Sequence, residues 1–277
     1  MANYTAADIK ALREKTGAGM LAVKNALEEA GGDQEKALEI IRVKGLAGVA
    51  KREGRAATDG LVASYVSDDG TVGVLVEINA ETDFVAKNER FIELADKVLA
   101  AAVDSGATDA EALLAAKLGD RTVADEVTDV SAMLGEKLVV RRIARVTGDT
   151  VTAYMHKTSM DLPPQVGVLV ASDAAGAEVA RDIAMHIAAY SPTYLAREDV
   201  PAETVADERR IAEETAINEG KPEKALPKIV EGRLTGFFKE NVLLEQAYAK
   251  DPKTTVAKVL DGVGGKITGF ARFRVGV

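Results

Sequence analysis

The pentapeptide Val-Gly-Val-Leu-Val occupies residues 72–76 and occurs again at residues 166–170. Each copy lies between two other strand-like stretches, which are 61–66 and 137–146 for the first copy and 151–155 and 266–275 for the second. A repeated apolar stretch followed by the same order of elements predicts two related subdomains. We expect an α+β fold in which each subdomain is a small antiparallel sheet covered by helices on one side.

A helical pattern follows each copy of the pentapeptide. The inward positions are spaced by three and four residues, as expected for the buried stripe of a helix. In the first helix the stripe is Phe91, Leu94, Ala95, Val98 and Leu99, and in the second it is Val179, Ile183, His186, Ile187 and Tyr190. Because His186 lies on an apolar stripe, we interpret it as a hydrogen-bonded core histidine.

The first 55 residues predict a small module of three helices. Thr5 and Asp33 are helix-capping residues, and Gly17 is a left-handed stop for the first helix. The third helix is expected to end at Lys44-Gly45, and the basic stretch 51–55 is interpreted as a linker. Three short helices bury little apolar surface, so such a module often serves to bind a partner.

Two charged helical segments, 203–219 and 223–245, are separated by Gly220-Lys221-Pro222 and predict an antiparallel hairpin. Pro227 and Gly232 are expected to weaken its second helix. The predicted domains are therefore 1–55 for the three-helix module and linker, 56–148 for the first subdomain, and 149–277 for the second subdomain with the hairpin inserted at about 202–246.

Composition excludes several classes of function. The 277 residues contain no cysteine, which excludes thiol chemistry, and only two histidines, which disfavours a histidine-rich metal centre; no metal or cofactor is expected. A net charge of −9 disfavours direct binding to nucleic acid. No apolar run approaches the ~18 residues of a membrane span, and the N-terminus lacks the pattern of a signal peptide. We expect a cytoplasmic protein that does not bind membranes.

Only a few residues suggest a functional site. The tetrapeptide Thr82 to Val85 follows a strand and precedes a helix. Capping by Thr82 or Asp83, with Phe84 in the core, is the interpretation that the residues favour; the alternative is a protruding turn that presents a ring and a carboxylate to a partner. Met20 and Leu21 pose the same choice, and again the core is favoured. The pattern G-x-G-x-x-A at 17–22 follows a helix instead of a strand, which disfavours dinucleotide binding.

These residues together resemble the bacterial elongation factor Ts family. The matching motifs are Leu12-Arg13, Thr16 to Met20, Lys24 with Ala26-Leu27, Thr82 to Ala86, Ala184 to Ala188, and Val230 to Arg233. The resemblance implies a ubiquitin-associated-like three-helix module, two related core subdomains and a helical hairpin. It also implies a guanine-nucleotide exchange factor for the translation GTPase elongation factor Tu, without covalent chemistry and therefore not an enzyme in that sense.

The resemblance also implies the site residues. Thr82, Asp83, Phe84 and Val85 would disturb the magnesium site of the partner, and the partner-binding residues would be Arg13, Met20, Leu21, Lys24, Leu134 and His156. Because Met20 and Leu21 are among these partner-binding residues, the resemblance favours their exposure over a position in the core. Departures from relatives are Ala22-Val23, Asp182, Pro227 and a chain that ends after its last strand, so that contacts by a helical tail are not expected.

Three points stay open at this level. A non-catalytic scaffold, whose three-helix module captures a partner helix or a ubiquitin-like surface, is the competing hypothesis; a hydrolytic or redox enzyme is disfavoured because no motif supports it. The sequence also leaves open a higher-order assembly with elongation factor Tu and the role of the hairpin.

Overall fold

The computed structural model describes residues 3–276 and has the predicted α+β fold. The helices are α1 (Ala6–Thr16), α2 (Met20–Glu29), α3 (Gln34–Arg52), α4 (Asp83–Ala86), α5 (Glu89–Ser105), α6 (Ala110–Ala115), α7 (Val123–Leu134), α8 (Ala177–Tyr190), α9 (Ala202–Asn218), α10 (Leu226–Asn241) and α11 (Val256–Val263). The strands are β1 (Asp59–Val66), β2 (Val72–Ala80), β3 (Lys117–Leu118), β4 (Arg121–Thr122), β5 (Val139–Thr147), β6 (Thr150–His156), β7 (Val166–Ser172), β8 (Ala247–Tyr248), β9 (Asp251–Thr255) and β10 (Ile267–Arg274). Within residues 3–276, none of the helices has the length and apolarity required to cross a bilayer.

The two copies of the pentapeptide form the central strands of two three-stranded antiparallel sheets. The strand order is β1-β2-β5 in the first sheet and β10-β7-β6 in the second. This result confirms the predicted antiparallel sheets, and the two sheets have the same arrangement of strands along the chain. A central strand must be covered on both faces, which explains why every residue of the pentapeptide is apolar or glycine.

The alternation within the pentapeptide separates two layers of packing. In each copy the second and third valines, Val74 and Val76 or Val168 and Val170, face the covering helices. The leucines, Leu75 and Leu169, lie instead in a cluster between the two sheets. The sheets therefore pack face to face between outer helices, an inner contact that the sequence analysis did not predict.

Glycines allow this close approach of the sheets. A Cβ atom at Gly73 would lie 3.0 Å from Leu169 Cδ1, and a Cβ atom at Gly167 would lie 3.0 Å from Leu75 Cδ2. Each sheet thus presents a glycine to the leucine of the other sheet. The contact is reciprocal, since the same two residue types meet from both sides.

The outer helices mostly follow the predicted stripes. Phe91, Leu94 and Val98 of α5 are buried in the first core cluster, and Ile183 and Ile187 of α8 are buried in the second. The prediction is wrong at the end of the second stripe. Tyr190, the last residue of α8, is 53% exposed and not buried. Helices α6, α7 and α11 had no counterpart in the sequence analysis.

The predicted caps of the three-helix module are confirmed. The Thr5 hydroxyl accepts a hydrogen bond from the Asp8 N–H at 3.2 Å, and Asp33 caps α3 through the N–H groups of Glu35 and Lys36. Gly17 ends α1 in the left-handed region, with φ of 69°. A small apolar cluster holds α1, α2 and α3 together.

The predicted end of α3 at Lys44-Gly45 is wrong. The helix continues through Gly45 to Arg52, so the first two residues of the expected linker 51–55 are helical. Gly45 does not stop the helix because it serves a packing role: a Cβ atom there would lie 2.1 Å from the carbonyl oxygen of Ala132 in α7. A glycine at this position lets α3 lie directly against α7.

The hairpin forms as predicted, with α9 and α10 packed around a cluster that contains Ala212, Leu234 and Phe238. The expectation that Pro227 weakens the second helix is wrong. Pro227 lies in the first turn of α10, where the missing N–H has no intrahelical partner to lose. The domain boundaries at 55/56 and 148/149 stay a prediction.

Candidate functional site

The turn at Thr82 to Val85 has one side fixed in the core. The Thr82 hydroxyl accepts a hydrogen bond from the Val85 N–H at 3.4 Å and so caps the one-turn helix α4. Val85 and Ala86 are buried in the first core cluster. The turn is therefore a fixed part of the subdomain, and the capping role of Thr82 is confirmed.

The other side of the turn carries Phe84 into solvent. The ring is 74% exposed, so the interpretation that favoured the core for Phe84 is wrong. In a single helical turn only some positions can face inward, and Val85 and Ala86 occupy them. An aromatic ring that is held outside on a fixed backbone is unusual, because exposed aromatic surface gains nothing from the fold of its own chain.

Lys87 connects the ring to the neighbouring carboxylate. Its Nζ lies 4.8 Å from the centroid of the Phe84 ring and 3.4 Å from Asp83 Oδ2. Both contacts are solvent-exposed, and such pairs contribute little stability. Asp83 and Phe84 can therefore exchange Lys87 for other partners at low cost.

A second exposed apolar group lies at the start of α2. Met20 is 61% and Leu21 is 69% exposed, while Val23 and Leu27 fill the inward positions of the helix. The interpretation that placed Met20 and Leu21 in the core is therefore wrong. Lys24, one turn further along α2, is exposed as well, so an apolar pair and a cation share one face of this helix.

The turn at Gly17 joins these two exposed groups. A Cβ atom at Gly17 would lie 2.8 Å from Leu134 Cδ2 and 3.2 Å from both side-chain heteroatoms of Asn88, which caps α5 just after α4. Arg13 lines a groove of about 530 Å³ together with Gly17 and Asn88. The structure thus brings Arg13 and the turn that precedes α2 to Asn88, the residue that links α4 to α5.

Two of the expected partner-binding residues are placed differently. Leu134 is only 8% exposed and packs beneath the Gly17 turn, so it supports this surface from below. His156 is exposed at the end of β6 on the second sheet, where its Nδ1 lies 3.1 Å from the Tyr154 hydroxyl. The contacts that join α1 to the Phe84 turn do not include His156.

The core interpretation of His186 is confirmed. The side chain is fully buried, its Nδ1 accepts a hydrogen bond from the Ala249 N–H at 3.1 Å, and its Nε2 lies 2.7 Å from Gln246 Oε1. Burial lowers the pKa of His186 below its usual range, and the hydrogen bond to Gln246 only partly opposes this effect. His186 is therefore a neutral structural residue. Nearby, Asp182 pairs with Lys250 at 2.6 Å.

Sequence reasoning did not identify Lys87, Asn88 or Glu136 as parts of this site. Lys87 and Asn88 directly follow the tetrapeptide, and the N-cap residue type of Asn88 was a usable signal. Glu136, which binds Thr82, is separated from it by 54 positions, and one sequence contains no signal for that contact. Among residues 3–276 no group of three or more potential metal ligands is clustered.

A fixed backbone that exposes an aromatic ring, together with a second exposed apolar pair on α2, is typical of a protein that acts by contact with another macromolecule. Comparison with known proteins identifies the family. The sequence profile of the family described as Elongation factor TS matches residues 81–277. Proteins named Elongation factor Ts from Beutenbergia cavernae, Micrococcus luteus and Renibacterium salmoninarum are 69%, 67% and 64% identical to this chain, each over the full length of both chains. The chain belongs to the elongation factor Ts family, and its role is that of a translation elongation factor.

Proposed function

We propose that this translation elongation factor is a guanine-nucleotide exchange factor for elongation factor Tu. It would act without covalent chemistry, in the cytoplasm, by binding the GDP form of the GTPase and promoting release of the nucleotide. The observation that carries the proposal is the exposed Phe84 ring on its fixed turn. Membership of the elongation factor Ts family supports the assignment to translation.

The exposed ring is suited to insertion into a partner. Burying a phenylalanine side chain is worth about 1.5–3 kcal/mol, and the backbone of Thr82 and Val85 is already ordered, so little entropy is lost on binding. In this proposal Phe84 wedges into the GTPase domain. Val85 and Thr82 hold the turn from the core side.

The carboxylate of Asp83 would act on the magnesium site of the partner. In the free protein Asp83 is paired with Lys87 at 3.4 Å. Inserted beside the magnesium network, the carboxylate competes for the groups that hold the ion and adds negative charge near the phosphates. The phosphate charge of GDP is then poorly compensated, and the nucleotide leaves faster.

The remaining contacts would orient the insertion. Arg13, Met20, Leu21 and Lys24 form the second part of the proposed interface, with Leu134 as its support. His156 would contact a different part of the partner, because it lies on the second sheet. The module boundary near residue 55 would then separate a docking unit from the core that carries Phe84. In this proposal the protein does not bind nucleic acid directly.

Exchange can be tested by stopped-flow release of a fluorescent GDP from elongation factor Tu. We expect strong acceleration by the wild-type protein and about 10- to 100-fold less acceleration by Phe84→Ala, which corresponds to the loss of one buried ring. Asp83→Ala should also slow release. Ile217→Ala, which shortens an exposed apolar side chain on the hairpin, is the matched control and should behave as wild type. If Asp83→Ala and Phe84→Ala both matched the wild type, the insertion mechanism would be wrong.

A second measurement separates exchange from simple scaffolding. Because binding energies are coupled reciprocally, a protein that weakens GDP binding must itself be displaced by GDP. Excess GDP should therefore dissociate the complex between this protein and elongation factor Tu. A scaffold that binds through the three-helix module alone would stay bound regardless of the nucleotide.

A further inference from the structure

The Phe84 turn begins where the ladder between β2 and β5 ends. The last paired residues of these two strands are Asn79 and Val139. Just beyond this pair lie two dipeptides, Glu81-Thr82 after β2 and Glu136-Lys137 before β5. Their side chains extend the connection between the strands after the backbone pairing has stopped.

The two dipeptides exchange hydrogen bonds through their glutamates. The Lys137 N–H donates to Glu81 Oε1 at 2.6 Å, and the Thr82 N–H donates to Glu136 Oε2 at 3.1 Å. The Glu81 carboxylate thus accepts from the residue that follows Glu136, and the Glu136 carboxylate accepts from the residue that follows Glu81. Hydrogen bonds to an ionised acceptor are stronger than neutral ones, so this pair of bonds fixes the start of the turn.

Glu136 makes one further contact that reaches the turn itself. The Thr82 hydroxyl donates to Glu136 Oε1 at 2.7 Å and accepts from the Val85 N–H at 3.4 Å. A hydroxyl has a single proton, so donation to Glu136 leaves a lone pair free for Val85. Glu136 therefore orients the hydroxyl that caps α4, the helix that carries Phe84.

Glu136 is itself held at the end of α7. The Ser131 hydroxyl donates to the Glu136 carbonyl at 2.6 Å, and Gly135 ends the helix in the left-handed region with φ of 78°. The Arg52 guanidinium at the end of α3 donates to the Ser131 carbonyl at 3.3 Å. The glutamate is thus fixed by the helix that packs against the three-helix module.

We infer that Glu136 is a positioning residue for the Phe84 turn: its carboxylate holds the Thr82 N–H and hydroxyl so that α4 presents the ring in one orientation. The consequence for exchange rests on the proposed function, but the positioning itself does not. Glu136 is half-buried beneath the turn and acts through Thr82.

The free protein offers a direct test of the positioning. The chain has no tryptophan and six tyrosines, so Phe84→Trp places a single tryptophan at the tip of the turn, where it can be excited selectively at wavelengths that tyrosine does not absorb. In this background we expect Glu136→Ala to increase the amplitude of fast local motion in the fluorescence anisotropy decay by about twofold or more, because the cap and the Thr82 N–H lose their acceptor. Glu111→Ala, at an exposed carboxylate on α6 of the same subdomain, should leave the decay unchanged.

Two conservative variants separate geometry from charge and guard against misfolding of Glu136→Ala. Glu136→Gln keeps the length and one acceptor oxygen, so it should retain most of the ordering. Glu136→Asp keeps the charge but withdraws the oxygens by one methylene, so it should loosen the turn. Unchanged anisotropy in both the Ala and the Asp variants, measured well below their unfolding temperatures, would overturn the inference.

Stopped-flow GDP release adds a readout that a general loss of stability would not give. With Phe84 intact, we expect Glu136→Ala to lower the maximal rate at saturating factor about tenfold, while the half-saturating concentration changes less than about threefold, because Met20 and Leu21 are unaffected. Glu136→Gln should recover most of the rate. A wild-type rate for Glu136→Ala refutes the positioning role alone, whereas a wild-type protein that does not accelerate release refutes the proposed function instead.

Discussion

Substitution of Gly45 by alanine should separate the three-helix module from the core. The new Cβ atom would lie 2.1 Å from the carbonyl oxygen of Ala132 and 2.6 Å from its carbonyl carbon. A carbon and a carbonyl oxygen normally approach to about 3.3 Å. Because both contacting atoms belong to the backbone, no side-chain rotation can relieve the overlap, and α3 and α7 must move apart by roughly 1 Å at this point.

The expected energetic cost follows from two opposing effects. Overpacking of a well-packed contact costs about 1–3 kcal/mol. Alanine in a helix interior is otherwise better than glycine by about 0.5–1 kcal/mol. The free energy of unfolding should therefore fall by up to about 2.5 kcal/mol. A displaced α7 also moves its last residue, Leu134, and Glu136 just beyond its end, so the Phe84 turn and the start of α2 should lose their relative position.

Urea unfolding followed by circular dichroism gives the change in stability, and stopped-flow GDP release gives the change in function. Gly236→Ala is the matched control: this glycine lies inside α10, and a Cβ atom there meets nothing within 4 Å. It should stabilise the protein slightly and leave exchange unchanged. If Gly45→Ala raised the urea midpoint as Gly236→Ala does, the close contact between α3 and α7 would not exist in solution.

The remaining predictions concern the core. Because burial lowers the pKa of His186, the unfolded chain binds a proton below about pH 6.5 that the folded chain does not. The free energy of unfolding should therefore fall as the pH drops below that value. Urea midpoints measured at several pH values should fall less in His186→Gln than in the wild type. Gly73→Ala and Gly167→Ala should each lower the free energy of unfolding by about 1–3 kcal/mol. The reason is that the new Cβ atom would lie 2.7 Å and 2.6 Å, respectively, from a valine methyl of the facing sheet. Urea midpoints equal to that of the wild type would contradict the tight contact between the sheets.

The strands and the longer helices of the two sheets could be predicted because their signals are local. The pentapeptides and the stripe on α5 are regular patterns of apolar residues, and the caps at Thr5 and Asp33 are short-range chemistry. Gly45 shows the limit of such reasoning. The same residue type stops a helix at Gly17 and permits helix packing at Gly45, and only the position of α7 distinguishes the two.

The site was harder to derive because it depends on side-chain direction. Composition alone favoured the core for Phe84, Met20 and Leu21, since apolar residues are usually buried. At each of these places neighbouring apolar residues had already filled the inward positions, namely Val85 in α4 and Val23 in α2. The resemblance to a family, and not the pattern of residues, indicated that these side chains are exposed.

The reciprocal glycine–leucine contact between the sheets has a counterpart at their ends. In the first half the Lys137 N–H donates to Glu81; in the second half the Lys266 N–H donates to Asp173 at the same place, at 2.9 Å. After that shared bond the halves differ, because the first continues into an exposed aromatic turn and the second into α8. Self-complementary contacts of this kind are typical of homodimers. In a homodimer every substitution occurs in both copies. When the two units are joined in one polypeptide, one unit can change to bind a partner while the other keeps the residues of the contact between the sheets.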